Sequence, residues 1–400
     1  MQLRSVAKFL TAALFAVPAF AQEPIRIGVT QPLTGAFAAS GNYVTQGARI
    51  AEEVINASGG VLGRKIQLVI EDNKSNPTEA VATAEKLISK DKVVAIVGGH
   101  QSSVCLAEIE VAHRYNVPYV NTNCWSDDVR KKGYPEVFNP ANYNTRVSQA
   151  MAETIAAMGV KNVVAFAENT DYGIGQAKLL AEFIKQKAPS VAYKYETLDR
   201  AGKDFTPAVL ALRANPPDMV INVMLPPAAY ILMNQLYEQG VAPSPKTWMY
   251  DGAGLADYPD FWQNVKDAGK GLISFGLYHP AMDTPAIGKQ VAAEYTKRTK
   301  AEPNRLIFQA ADSLLLVVDA IKQAKSTDPK AVTAALQNIK FSGVRGSFSF
   351  SKEPGITFQQ WADIPYVNYQ LTAVNQPVSQ SNLIQGPGQK LDVGKLQKSK

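Results

Sequence analysis

The chain predicts an α/β protein of two doubly wound lobes, and three observations carry that prediction. Short β-branched runs alternate with amphipathic stretches along most of the length, the signature of βα units on a mainly parallel sheet. The alternation breaks over Gly133 to Asn144, a segment holding Pro135 and Pro140, and then restarts as a second series. The 400 residues, 46% of them hydrophobic, suffice for two or three domains of the usual ~100 to 200 residues, each with its own core.

The first series opens with a strand at Ile25 to Val29, followed by a helix from Val44 to Ile55 that Ser58-Gly59-Gly60 ends. A strand at Ile66 to Ile70 precedes Asn76-Pro77-Thr78-Glu79, which starts a helix running to Lys90 by setting Pro and an acid near the positive end of the dipole. Strands at Val93 to Val97 and Pro118 to Val120 flank a helix at Val104 to Tyr115. In the second series, strands at Val163 to Ala167, Val191 to Thr197, Met219 to Met224 and Thr247 to Tyr250 alternate with helices. Those helices are Thr145 to Met158, Gly175 to Lys187, Pro207 to Ala214 and Ala228 to Gln239. A second irregular stretch, Tyr278 to Pro285, precedes helices at Ile287 to Thr299 and Leu306 to Ala324, which lack strands of their own and are expected to return to the first lobe. Phe341 to Asn375 reads as strand, and the polar run from Ser379 to Lys400 as a loose tail.

Ahead of the first strand, residues 1–21 read as a cleavable export leader. Arg4 and Lys8 make a positive start, Phe9 to Val17 a short apolar stretch, and Ala19-Phe20-Ala21 the cleavage site. The alternative, a retained anchor helix, needs ~20 apolar residues, and Pro18 ends the run before that. No cysteine lies near the cleavage point, which argues against a lipid anchor. The expected compartment is the periplasm. A net charge of +6, dispersed and without aromatic-interleaved basic blocks, argues against nucleic acid, and no second long apolar run suggests membrane embedding.

Cys105 and Cys124 are the two cysteines of the sequence, and in an exported chain either a disulfide or two separate thiols fits them. Together with His100, His113 and His279 they show no metal-ligand spacing. No cofactor is expected. Gly173-Ile174-Gly175-Gln176-Ala177-Lys178 follows a strand as a dinucleotide fingerprint would, but Lys178 replaces the third glycine and Thr170-Asp171-Tyr172 lengthens the turn. No P-loop, G-x-S-x-G elbow or His-Glu-x-x-His is present, and Ser103 with His100 lacks a recognisable orienting carboxylate.

In doubly wound sheets, ligands gather beyond the carboxyl ends of the strands, where helix N-termini present free backbone donors. Three such loops come from the first series: 31–41 with Ser40, Gly98-Gly99-His100-Gln101-Ser102-Ser103, and Asn121-Thr122-Asn123-Cys124-Trp125-Ser126. Two come from the second: Glu168-Asn169-Thr170-Asp171-Tyr172-Gly173 and Tyr250-Asp251-Gly252-Ala253-Gly254. Singly each reads as a turn with a cap. As a set divided between two lobes, they describe a cleft.

IRIGVTQPLTGAFAASG, GGVLGRKIQLVIEDNKSNPTEAVATAEKLI, IVGGHQSS and ENTDYGIGQ, in this order, resemble the leucine/isoleucine/valine-binding (branched-chain amino acid) type of periplasmic solute receptor that feeds an ABC importer. The resemblance runs from Ile25 to about Asn375. It implies the type I periplasmic binding protein fold, two α/β lobes joined by a three-segment hinge that closes on the ligand. By position, Ser103 looks like the hydroxyl that binds the ligand carboxylate, Asn123 and Trp125 like the loop completing that site, and Tyr172 like the aromatic that folds over the ligand. Asp251 or Gly252 falls where an amino-acid receptor places an acid for the ammonium group. Trp125 departs from the small residue or Thr common there, and Leu225-Pro226-Pro227 lacks the aromatic and glycine residues often seen in that segment.

The expected function is capture of a small carboxylate-bearing metabolite, without catalysis, for delivery to the membrane permease of an ABC importer by a monomeric receptor. A ligand-sensing module for a signalling partner and an exported enzyme are the alternatives. Ser40, His100, Ser102, Ser103, Asn123, Cys124, Trp125, Tyr172, Asp251 and Gly252 are the candidate ligand contacts. Trp125→Ala is expected to weaken binding and spare the fold. The lobes are expected at 23–141 with 279–360 and at 142–278 with 361–380, leaving 381–400 as the polar tail.

Overall fold

The computed structural model describes residues 22–35 and 37–399, so the leader expected at 1–21 lies outside the described residues. The first series runs β1 (Ile25–Gln31), α1 (Ala38–Ala57), β2 (Ile66–Asp72), α2 (Pro77–Ser89), β3 (Ile96–Gly98), α3 (Ser102–Tyr115), β4 (Tyr119–Asn121), α4 (Asp127–Lys131) and β5 (Val137–Phe138). The second runs α5 (Asn144–Met158), β6 (Asn162–Glu168), α6 (Asp171–Lys187), β7 (Ala192–Leu198), α7 (Thr206–Arg213), β8 (Met219–Val223), α8 (Ala228–Glu238), β9 (Trp248–Asp251), α9 (Phe261–Val265) and β10 (Ile273–Gly276). Then come α10 (Ala286–Thr299), α11 (Arg305–Ala324), α12 (Pro329–Gln337), the hairpin β11 (Lys340–Ser342) with β12 (Ser347–Ser349), β13 (Val367–Gln370) and β14 (Asn382–Gln385).

Two sheets define the two lobes. One is parallel throughout in the order β2-β1-β3-β4-β5, with Ile25 opposite Ile66 and Gly28 opposite Ile96. The other has the order β14-β13-β10-β9-β8-β6-β7, parallel from β7 to β10 and antiparallel from there to β14. In each sheet the winding reverses beside the strand that opens the series, between β1 and β3 and between β6 and β8. Ligand sites of open α/β sheets form at such reversals, because the crossover helices leave on opposite faces and the loop ends part.

Helix α11 shows why the late helices return to the first lobe. Asn304 caps it, accepting from the Leu306 and Ile307 amides, and Leu306, Leu314, Val317 and Ile321 of its apolar side are buried with Val44, Ala48 and Ala51 of α1. The two helices approach so closely that a Cβ on Gly47 would stand 2.4 Å from the Ile307 carbonyl oxygen. Only glycine leaves room for that contact.

Three expectations need correction. The third strand is shorter than Val93 to Val97, because Val93 and Val94 precede the ladder. The short strands β5 and β10 and the helix α12, capped by the Asp328 carboxylate on the Ala331 amide, stand outside the expected set. The tail is not loose. β14 pairs antiparallel with β13, Ile384 is buried, the Gln397 amide donates to Gln370 Oε1 at 2.9 Å, and Lys398 Nζ sits 4.7 Å from the Trp248 ring centre. Polar composition hid a strand that needs one buried side chain and a free sheet edge.

Candidate ligand-binding site

Loops from both reversals line a single cavity. His100, Gln101, Ser102 and Ser103 come from the β3–α3 turn, and Asn123 and Trp125 follow β4. The second lobe contributes Glu168, Thr170 and Tyr172 after β6, Leu225 after β8, and Ala253 and Tyr258 after β9. Arg200 and Arg305 complete the wall. A wider cleft beside it shares Ser103, Thr170 and Arg200 with it.

The wall on the first lobe is built to donate. Gln101 precedes α3 without a side-chain cap, so the amides of the first turn, at Ser102 and Ser103, have no intrahelical acceptor and stand at the positive end of the dipole. Gly99 makes this turn at φ +89°, and a Cβ there would fall 1.8 Å from Cys105 Sγ. Cys105 and Cys124 form a disulfide that ties the start of α3 to the Trp125 loop. The buried His100 Nε2, Trp125 Nε1 and Gln101 amide find no hydrogen-bond partner among the described residues. Burial pushes the His100 imidazole down to about 3, with Arg305 acting in the same direction, so the ring is neutral at pH 7.

The opposite wall accepts. Glu168 takes Thr170 Oγ1 at 2.6 Å and the Leu225 amide at 2.8 Å, leaving further lone pairs toward the cavity. Burial raises its carboxyl pKa against those two bonds and Arg200. Tyr172 donates to the Gly252 carbonyl at 3.2 Å and meets Trp125 edge-on, ring centres 6.1 Å apart. Arg305 crosses between lobes. Its Nε lies 3.0 Å from Asp257, its Nη1 donates to Asn123 at 2.9 Å, its Nη2 donates to the Ala253 carbonyl at 3.2 Å, and its guanidinium lies 5.0 Å from the Trp125 ring centre.

Of the expected contacts, His100, Ser102, Ser103, Asn123, Trp125 and Tyr172 lie together in the wall. Four do not. Ser40 is buried in the first turn of α1, and Cys124 is taken up by the disulfide. Gly252 turns its carbonyl to Tyr172 and Gln176. Asp251 is buried and consumed by Ser274 Oγ at 2.6 Å and the amides of Ala253 and Leu255, so the acid facing the cavity is Glu168 instead. Arg305, Arg200, Glu168 and Tyr258 are additions. Arg305 opens α11, and nothing local in the sequence marks it as a cavity residue.

Among the described residues no helix is long and apolar enough to cross a membrane, and no cluster of His, Cys, Asp and Glu has the geometry for a metal ion. Two α/β lobes around a cavity whose walls both supply contacts make a solute-binding protein. The profile described as "Periplasmic binding protein" matches residues 24–362, and the chain belongs to that family. It is 29% identical over 355 residues to an "Amino acid binding protein" of Pseudomonas aeruginosa, covering 88% of this chain and 92% of that one. It is 26% identical over 335 residues to "Leu/Ile/Val-binding protein homolog 3" of Brucella melitensis, covering 84% and 88%. Its fold matches the crystal structure of a leucine binding protein from Thermotoga maritima at TM-score 0.79 and 24% identity, covering 90% and 97%.

Proposed function

We propose that the protein is the substrate-binding component of an ABC importer, holding a small carboxylate-bearing metabolite between its lobes and passing it to a membrane permease. The observation that carries this reading is the set of buried donors without partners on the first-lobe wall, facing an acceptor, Glu168, across the cavity. A carboxylate at the α3 turn would take the Ser103 hydroxyl and the free amides. Trp125, Tyr172 and Leu225 give apolar contact, and Glu168, in place of Asp251, meets an ammonium group where the ligand has one. The printed names of the curated relatives support an amino acid or a related acid.

The hinge lies where the chain crosses between lobes, near 141–142, 278–279 and 360–361. Contacts to both lobes exist only when they close, so ligand favours the closed form. A thermal-shift and calorimetric screen over amino acids, aromatic acids and amides is expected to find a ligand that raises the melting temperature and is recovered unchanged by mass spectrometry. No binder in that set, together with no compaction in solution scattering, removes the proposal.

A further inference from the structure

We propose that His100 is a specificity-determining ligand contact, fixed as its Nε2–H tautomer by a side-chain relay from Arg305 through Asn123, and that it donates to an acceptor oxygen of the bound molecule. The inference rests on the receptor reading above for the contact, but not for the relay. Arg305 Nη1, which can only donate, reaches Asn123 Oδ1 at 2.9 Å and so fixes the amide's orientation. The Asn123 amide nitrogen then lies 3.0 Å from His100 Nδ1 and must donate to it. A neutral ring that accepts at Nδ1 carries its hydrogen on Nε2. That Nε2 is buried, unpartnered among the described residues, and belongs to a residue of the cavity wall.

Arg305 is held in turn by Asp257 and the Ala253 carbonyl, so the relay begins on the second lobe and ends on the first. The charged group facing the ring is Arg305, on α11. Phe37 and Tyr258 pack at 6.1 and 6.3 Å between ring centres, and neither supplies a charge that would favour imidazolium. A cation here would attract any anion equally. A neutral, directed N–H instead requires an oxygen at one position, which is a sharper test of shape.

The experiment uses the full chain with ¹⁵N-labelled histidine, and L-leucine and benzoate as probes. Long-range ¹⁵N–¹H spectra of the free protein are expected to give His100 a protonated Nε2 and an unprotonated Nδ1, with Asn123→Leu mixing the two tautomers. In titration calorimetry, His100→Leu is expected to weaken whichever probe binds by about tenfold, the cost of a hydrogen bond left unmade. His100→Gln, whose side-chain amide can stand in for Nε2–H, is expected to stay within about threefold. The same spectra are expected to show the His100 ring neutral from pH 8 to pH 5. A protonated Nδ1 overturns the relay, and unchanged affinity in a folded His100→Leu variant overturns the contact. An imidazolium at His100 in those spectra above pH 5 overturns the neutral donor. If neither probe binds, the contact is withdrawn together with the receptor reading, while the spectra judge the relay separately.

Discussion

Trp125 shows how a single side chain can serve two masters in this site. It lines the cavity, yet its ring also packs against Phe275 at 5.7 Å and Tyr172 at 6.1 Å within the hydrophobic core of the second lobe. The expectation that Trp125→Ala spares the fold therefore needs revision. Truncation is expected to lower stability by about 3 kcal/mol in addition to weakening binding. Trp125→Phe separates the roles: it keeps most of the packing, removes the unpartnered Nε1–H, and is expected to weaken ligand by about fivefold with little change in denaturation midpoint. Wild-type affinity in the Phe variant would make the indole a packing residue only.

At the same scale, the sequence made the donor wall readable and the acceptor wall much less so. Gly98-Gly99 ahead of Ser102-Ser103 marks a strand running into a helix, and that local signal located three of the expected wall contacts, His100, Ser102 and Ser103, within six positions. Asp251 and Glu168 both end strands of the same lobe, and nothing local distinguishes an acid that turns back onto its own amides from one that faces a cavity. Arg305 was beyond local reading because its partner Asn123 lies 182 residues away.

Among the elements, the short helix α4 matters out of proportion to its length because it carries Arg130. This guanidinium is buried and donates to the carbonyls of Cys124 at 2.9 Å, Ser126 at 3.0 Å and Asn142 at 2.7 Å, and to Gln360 Oε1 at 2.7 Å. Gln360 donates onward to the Ala141 carbonyl at 2.8 Å. One side chain thus joins the Trp125 loop to the segments at Ala141, Asn142 and Gln360. Burial lowers its pKa to about 10, which leaves it charged at neutral pH. Arg130→Ala strands several buried carbonyls at once, and a loss of at least about 3 kcal/mol is expected in urea titration. A loss below 1 kcal/mol would mean that water replaces the guanidinium without penalty. Strongly periodic elements such as α1 and α11 were legible from sequence; β5 and β10 were not, β5 because it lies inside the proline-bearing segment that interrupts the alternation.

For the whole molecule, pH sensitivity follows from buried groups rather than from net charge. Glu108 is fully buried and accepts from Thr30 Oγ1 at 2.6 Å, Asn73 Nδ2 at 3.1 Å and Tyr119 Oη at 2.5 Å. Burial pushes it up to about 7 against the pull of those donors. Between its ordinary 4.5 and about 7 the folded chain therefore keeps a proton that the unfolded chain releases. Its contribution is complete below 4.5 and is lost as pH rises through 7. His100 has the opposite sign, because below 6.5 the unfolded ring takes up a proton that the folded ring refuses. Glu108→Gln isolates the first effect, since His100 is common to both proteins. The stability of wild type relative to the variant is expected to fall from pH 5 to pH 7, by up to about 1.4 kcal/mol per unit. Parallel stability curves for the two proteins would show that Glu108 stays ionised throughout.

The docked end of the chain has a practical corollary for anyone shortening it. Without its last twenty residues the protein would leave the outer rim of β13 bare, a row of unsatisfied amides and carbonyls that another molecule's strand can complete. A gene stopped after Gln380 is expected to yield material that clumps as its concentration rises, visible in light scattering, whereas the full-length product stays dispersed. Equal scattering from the two would mean that the terminal strand is ornament rather than armour.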